Sequence, residues 1–300
     1  MAGVTSLGVN DKDSIATLRA CTDLGINFID TAYCYGPNGE SENLIRRALS
    51  ECRDQFVIAT KCGIHYGPDG KQTNDARPEV ILKECDESLR RLGTDRVELY
   101  YLHSPDPEVP VAESAGAIRE LITQGKVLTA GTSNCSLEQI REFHEACPLT
   151  AVQLPYNMLQ RDIEQQTVPW CQENNVSVIV YWALMKGLLA GKLTSQEQLD
   201  QTDARRKYPM YQGDEWEKNQ DFVNQLRSIA TECGRTVAQV VVNWTIQQPG
   251  ITVALCGAKR PWQFEETAAA ITWQLSPAQM QKINDAIQAR GKAAANRIFT

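Results

Sequence analysis

Three charged or ionisable residues stand at the ends of successive apolar runs: Asp30 closes "NFID", Lys61 follows "FVIAT", and His103 follows "VELYYL". A tyrosine, Tyr35, lies shortly after the first of them, in "DTAYCYGP". A carboxylate at the end of a buried run loses several kcal/mol of solvation unless it is paired. Lys61 is the cation that the pattern offers to Asp30. An ammonium fixed in this way pulls a neighbouring phenol down from its unperturbed pKa of ~10. Tyr35 is that phenol, and His103 is placed to orient a carbonyl oxygen toward it. The set suits proton donation to a carbonyl, a positioned acid being worth ~10²–10⁴ in rate, with hydride arriving from another molecule.

Each residue alone has a plainer reading. Asp30 caps a helix turn, Lys61 leaves the rim as a surface lysine, and His103 is a satisfied loop histidine. Their joint placement favours the chemical reading. His65 and His144 lack that setting and read as structural or exposed. Later run ends carry Ser133 and Asn134 after "LTAGT", Gln153 within "TAVQLPY", and Tyr181 within "VSVIVYW".

The elements that must position these residues are seven apolar runs, at 27–30, 56–60, 97–103, 127–133, 150–156, 176–182 and 251–257. Amphipathic stretches alternate with them, including "SENLIRRALSEC", "RPEVILKECDESLRRL", "VAESAGAIRELITQG" and "SLEQIREFHEAC". The second of these puts Pro78 in its first turn and Val80, Leu82, Leu89 and Leu92 in amphipathic order. A further helix is expected to open at Ser14. Such alternation predicts parallel strands joined by crossover helices. A doubly wound dinucleotide fold would show G-x-G-x-x-G directly after a strand, and none is present. The reading is therefore an α/β (β/α)8 TIM barrel forming one domain over residues 1–300. Seven runs are one short of eight. A first strand must be squeezed from "GVTSLGV" or is truncated or missing, through a start placed too late or a weakened seam with unpaired strand edges.

A formal net charge of -7 argues against a nucleic-acid face, which needs clustered Lys and Arg, while leaving room for a small basic pocket. Ten cysteines without C-x-x-C spacing and three histidines give a zinc site little support. No run of about 18 apolar residues and no charged-then-apolar leader occurs. The expectation is a cytoplasmic chain with free thiols and no membrane partner.

In order and spacing, "GINFIDTAYCYG" with "SE" soon after, "IATKCG", "DRVELYYLHSPDP", "GKVLTAGTSN", "VQLPYNML", "YWALMKGLLAGKL" and "CGAKRPWQFEE" resemble the aldo-keto reductase superfamily. The resemblance covers residues 14 to 290. It implies a (β/α)8 barrel that binds NADP(H) in extended form without a Rossmann domain, and a catalytic tetrad of Asp30, Tyr35, Lys61 and His103. The spacing D-T-A-x-x-Y-G selects Tyr35 over the rival phenol Tyr33. It also implies that Ser133, Asn134 and Gln153 hold the nicotinamide carboxamide and that Tyr181 stacks on the nicotinamide ring. Gly257, Lys259, Arg260, Gln263 and Glu266 match the family loop for the adenosine 2′-phosphate. Adjacent cations near a helix N-terminus agree with that assignment.

The chain departs from the pattern at Trp182 and Ala183, where Ser or Thr then Pro is usual, and at Thr267, where Asn is common. The expected function is NADP(H)-dependent reduction of an aldehyde or ketone. The alternatives are a cofactor-binding regulatory or scaffold barrel with little turnover and, less favoured, a Schiff-base lyase using Lys61. The small-molecule carbonyl substrate would be chosen by mouth loops at 65–75, 104–110 and 185–212. The sequence identifies no protein partner.

Overall fold

Each of the seven apolar runs forms a strand in the computed structural model, which describes residues 8–294. In chain order the strands are β1 (Phe28–Asp30), β2 (Val57–Cys62), β3 (Ile64–Tyr66), β4 (Gln72–Asn74), β5 (Val97–Leu102), β6 (Val127–Ser133), β7 (Leu149–Pro155), β8 (Ser177–Tyr181) and β9 (Ile251–Ala254). The helices are α1 (Asp11–Asp23), α2 (Glu40–Leu49), α3 (Pro78–Leu92), α4 (Val111–Thr123), α5 (Leu137–Ala146), α6 (Thr167–Glu173), α7 (Gly213–Cys233), α8 (Val237–Ile246), α9 (Pro261–Ala268) and α10 (Pro277–Arg290). Seven strands form one sheet in the order β1-β2-β5-β6-β7-β8-β9. The pairs β1–β2, β2–β5, β5–β6 and β6–β7 are parallel. This is the fold class of a (β/α)8 barrel, with seven of its strands among the described residues. The first strand expected from "GVTSLGV" falls mainly on residues 1–7, outside the described residues.

Three local expectations are corrected. The first helix starts at Asp11, not Ser14, because the Asn10 side chain caps it by accepting from the Asp13 N–H at 2.9 Å. The stretch 65–75 is no simple loop: β3 and β4 pair antiparallel, Ile64 with Asn74 and Tyr66 with Gln72. In α3 the buried face is Ile81, Glu84, Cys85, Ser88, Leu89 and Leu92, so Val80 and Leu82 lie on its flanks. Pro78 does open that helix, and Gly93 ends it in the left-handed region at φ 69°.

The chain divides into two units. One comprises Met1–Leu154, Gln165–Ile179 and Gly257–Phe264; the other comprises Pro155–Glu164, Val180–Cys256 and Glu265–Thr300. In the first, Ile58, Ala59, Leu99, Tyr100, Leu102, Ile118 and Leu121 are buried. In the second, Tyr156 stacks on Trp244 with ring centroids 5.9 Å apart. The fully buried Asn243 of α8 ties three backbone groups there: its Nδ2 donates to the Ala270 and Trp273 carbonyls, and its Oδ1 accepts from the Leu275 N–H. Among the described residues, no helix is long and apolar enough to cross a membrane.

Candidate active site

The first unit gathers Asp30, Tyr35, Lys61 and His103. Asp30 ends β1, and Lys61 is the fifth residue of β2, one strand over. Side chains alternate across a strand, and the register Asp30–Ala59 puts Lys61 two residues beyond Asp30's partner, on the same face. The Lys61 Nζ donates to Asp30 Oδ1 at 2.5 Å and to the Thr31 carbonyl at 2.6 Å. Lys61 is fully buried, and a buried ammonium is stable only with such partners. From the other side, Gln153 Nε2 donates to Asp30 Oδ2 at 2.7 Å. Both carboxylate oxygens are thus held.

A short turn carries Tyr35. Its N–H donates to the Ala32 carbonyl and its carbonyl accepts from the Ser41 N–H, at 3.0 and 3.1 Å. Gly36 follows at φ 102°, and a Cβ there would sit 2.1 Å from Glu40 Oε2. The Glu40 carboxylate can swing aside, so it is the positive φ that calls for glycine here. The turn brings the Tyr35 ring over Lys61, whose Nζ is 5.1 Å from the ring centroid. The His103 ring meets Tyr35 edge-on, with centroids 5.8 Å apart. His103 is anchored through its backbone, its N–H donating to the Cys62 carbonyl at 3.0 Å and its carbonyl accepting from Asn134 Nδ2 at 2.8 Å. Cys34 Sγ lies 3.6 Å from His103 Nδ1.

The electrostatics correct one expectation. The Lys61 charge does pull the Tyr35 phenol down, and it is the largest single influence. Burial, the Asp30 carboxylate and Cys34 together outweigh it, so the phenol ends above its ordinary value. Lys61 is pushed down by burial but raised further by Asp30 and Tyr35, and stays charged. A protonated phenol beside a charged ammonium is what a proton donor to carbonyl oxygen requires.

On β6 and β7, Ser133 pairs in register with Gln153, and both are buried. Asn134 follows in the left-handed region at φ 59°, with Nδ2 3.2 Å from Ser133 Oγ. A hydroxyl and two primary amides, all uncharged, form a donor and acceptor set matched to a carboxamide. The sequence reading missed Tyr101. Its ring stands in register between Lys61 and Gly131, and Lys61 Nζ is 5.9 Å from its centroid. The only signal in the sequence was a glycine inside a strand.

Gly257 opens the segment after β9. Within that segment Gln263 Oε1 accepts from the Lys259 N–H at 2.8 Å, which fixes the turn into α9. Lys259 and Arg260 immediately precede that helix, a placement suited to a phosphate. Arg260 already contacts protein groups, including the Gly8 carbonyl at 2.9 Å. In the second unit, Tyr181 ends β8 and its ring meets Trp182 edge-on at 5.2 Å. Trp182, at φ 63°, carries the Lys186 ammonium 4.2 Å over its ring, so it packs against its own segment. Glu266, in the same unit, pairs with Lys192 at 2.5 Å.

A family profile described as "Aldo/keto reductase family" matches residues 1–288. The chain is 37% identical over 286 residues to aldo-keto reductase YhdN of Bacillus subtilis (strain 168), spanning 94% of this chain and 85% of that protein. It is 33% identical over 283 residues to aldo-keto reductase yakc (NADP(+)) of Schizosaccharomyces pombe, spanning 92% and 83%. Among solved structures, the glycerol dehydrogenase AKR11B4 from Gluconobacter oxydans superposes with a TM-score of 0.88 at 32% identity, covering 97% of this chain and 89% of that one. The holo form of aldo-keto reductase AKR11C1 from Bacillus halodurans gives a TM-score of 0.79 at 25% identity, covering 97% and 91%. Fold and relatives agree along nearly the whole length, and the chain belongs to the aldo-keto reductase family of oxidoreductases.

Proposed function

We propose that the protein reduces an aldehyde or ketone to an alcohol with NADP(H), using Tyr35 as general acid. The observation that carries this reading is the buried Lys61 ammonium, bonded to Asp30 and lying 5.1 Å from the Tyr35 ring centre. Bound NADP(H) would supply the hydride. Tyr35 would give its hydroxyl proton to the carbonyl oxygen. Lys61 steadies the charge that develops on the phenol, and Asp30 keeps Lys61 charged and fixed. His103, edge-on to Tyr35, orients the carbonyl oxygen. Ser133, Asn134 and Gln153 would hold the carboxamide of the cofactor, and Gly257, Lys259, Arg260 and Gln263 would take its 2′-phosphate. For Tyr181 and Glu266, in the second unit, the resemblance alone supports a cofactor role. The relatives named as a glycerol dehydrogenase and with NADP(+) support the pairing of alcohol–carbonyl chemistry with that cofactor.

The test mixes purified protein, NADPH and a panel of activated aldehydes and follows the loss of nicotinamide absorbance. Turnover is expected for the native chain and a loss of ~10²-fold or more for Tyr35→Phe. Equal rates for the two proteins would remove Tyr35 from the mechanism.

A further inference from the structure

Arg260 is held by the start of the chain's own first helix. Its guanidinium reaches Asp13 Oδ2 at 3.1 Å through one terminal nitrogen and the Gly8 carbonyl at 2.9 Å through the other. The nitrogen facing Asp13 also donates to the Lys259 carbonyl at 3.0 Å. Asp13 does not swing freely: Asn10 Nδ2 donates to the same Oδ2 at 2.6 Å, and the Asp13 N–H is tied to Asn10 Oδ1. The carboxylate is therefore aimed at Arg260 by the N-cap of α1.

A guanidinium binds a phosphate monoester through two parallel N–H donors of its planar fork. Both terminal nitrogens of Arg260 already donate to backbone carbonyls, and one of them is also ion-paired with the Asp13 carboxylate. For Arg260 to present its fork to a 2′-phosphate, it must give up Asp13 or share itself between two anions. The second arrangement places a carboxylate beside a phosphate, which is repulsive.

We infer that Asp13 is a specificity-determining residue, which competes with the cofactor's 2′-phosphate for Arg260 and so narrows the preference for NADPH over NADH. The inference rests on the proposed reading that Arg260 takes the 2′-phosphate. NADH has no such phosphate, so its affinity is indifferent to the pair. Asp13 and Arg260 are each about one-third exposed, so the competition is modest and sensitive to salt.

The experiment measures dissociation constants of NADPH and NADH by nicotinamide fluorescence, without substrate, for the native chain, Asp13→Asn and Arg260→Met, in low and high salt. Asp13→Asn is expected to tighten NADPH roughly three- to fivefold at low salt, as an exposed pair permits. The gain should shrink at high salt, with NADH unchanged. Arg260→Met is expected to weaken NADPH alone. If Arg260→Met acts on NADPH but Asp13→Asn leaves it unchanged or weaker, Asp13 does not compete and the inference falls by itself. Should Arg260→Met treat the two cofactors alike, the 2′-phosphate assignment beneath it falls as well.

Discussion

The ring of Tyr101 occupies the space that a side chain at position 131 would need. A Cβ on Gly131 would lie 2.4 Å from Tyr101 Cδ1 and 3.1 Å from the Ala151 carbonyl. The register of β6 against β7 shifts between Ala130 and Gly131, next to the position that the ring faces. Gly131→Ala is expected to cost about 1–3 kcal/mol, the usual penalty of an overpacked core, read as a lower midpoint in urea. Tyr101→Phe keeps the ring and deletes a buried hydroxyl that has no well-aligned hydrogen bond. It should leave the midpoint unchanged within about 0.5 kcal/mol. A large loss in the phenylalanine variant, with none in the alanine variant, would mean that the hydroxyl, not the ring, matters.

Asp30 is the only carboxylate that Lys61 touches among the described residues. Asp30→Asn leaves a fully buried ammonium with the Thr31 carbonyl and an amide. Removing one partner of a buried pair typically costs about 3–5 kcal/mol. Because Lys61 is raised in the folded state, the stability it contributes is complete below its unfolded pKa and is lost as pH climbs through the folded value. The deficit of Asp30→Asn should therefore be full at neutral pH and narrow only in strong alkali. Denaturant titrations at pH 7 and pH 11 measure this, and an unchanged midpoint at pH 7 would mean the pair carries no stability.

Asp30, Lys61 and His103 were legible because each closes or nearly closes an apolar run, and strand ends are where a parallel α/β fold presents its chemistry. The strands were legible for the same reason: buried parallel strands read as continuous apolar runs. What escaped depends on register or on distant partners. Tyr101 looks like any core tyrosine until the pairing of β5 with β6 sets it opposite Gly131. Glu84 reads as a polar position of an amphipathic helix, yet it is buried because the Gly63 N–H and His65 turn toward it. The link from Asp13 to Arg260 joins opposite ends of the chain, and no local pattern announces it.

Glu84 carries a pH dependence of its own. Burial is the main cause that pushes its carboxyl up to about 8 from 4.5. Its Oε2 accepts from the Gly63 N–H at 2.7 Å, and its Oε1 lies 2.9 Å from His65 Nδ1. With the folded value above the unfolded one, the folded state binds more protons between them. Stability therefore falls as pH rises from about 4.5 toward about 8. Glu84→Gln imitates the protonated acid at every pH. Relative to the native chain it should gain stability between pH 5 and pH 9, by at most about 4 kcal/mol at ~1.4 kcal/mol per pH unit. Urea midpoints at the two pH values test this, and a gap that stays constant or shrinks would place the carboxyl's pKa in the ordinary range.

The balance of charges around Tyr35 fixes the form of its pH profile. A general acid works only while protonated, and this phenol sits above its ordinary value despite the ammonium beside it. On the proposed reading of Tyr35 as the acid, kcat/KM for carbonyl reduction with saturating NADPH should stay level on the alkaline side of neutrality and decline only above the ordinary phenol value of ~10. Lys61→Met removes the one strong influence that lowers the phenol. The alkaline decline should then move to still higher pH, while the plateau drops ~10²-fold or more because the developing phenolate loses its cation. A decline centred near pH 7 in the native chain would contradict a raised phenol. An unmoved decline in Lys61→Met would show that the titrating acid is a group other than Tyr35.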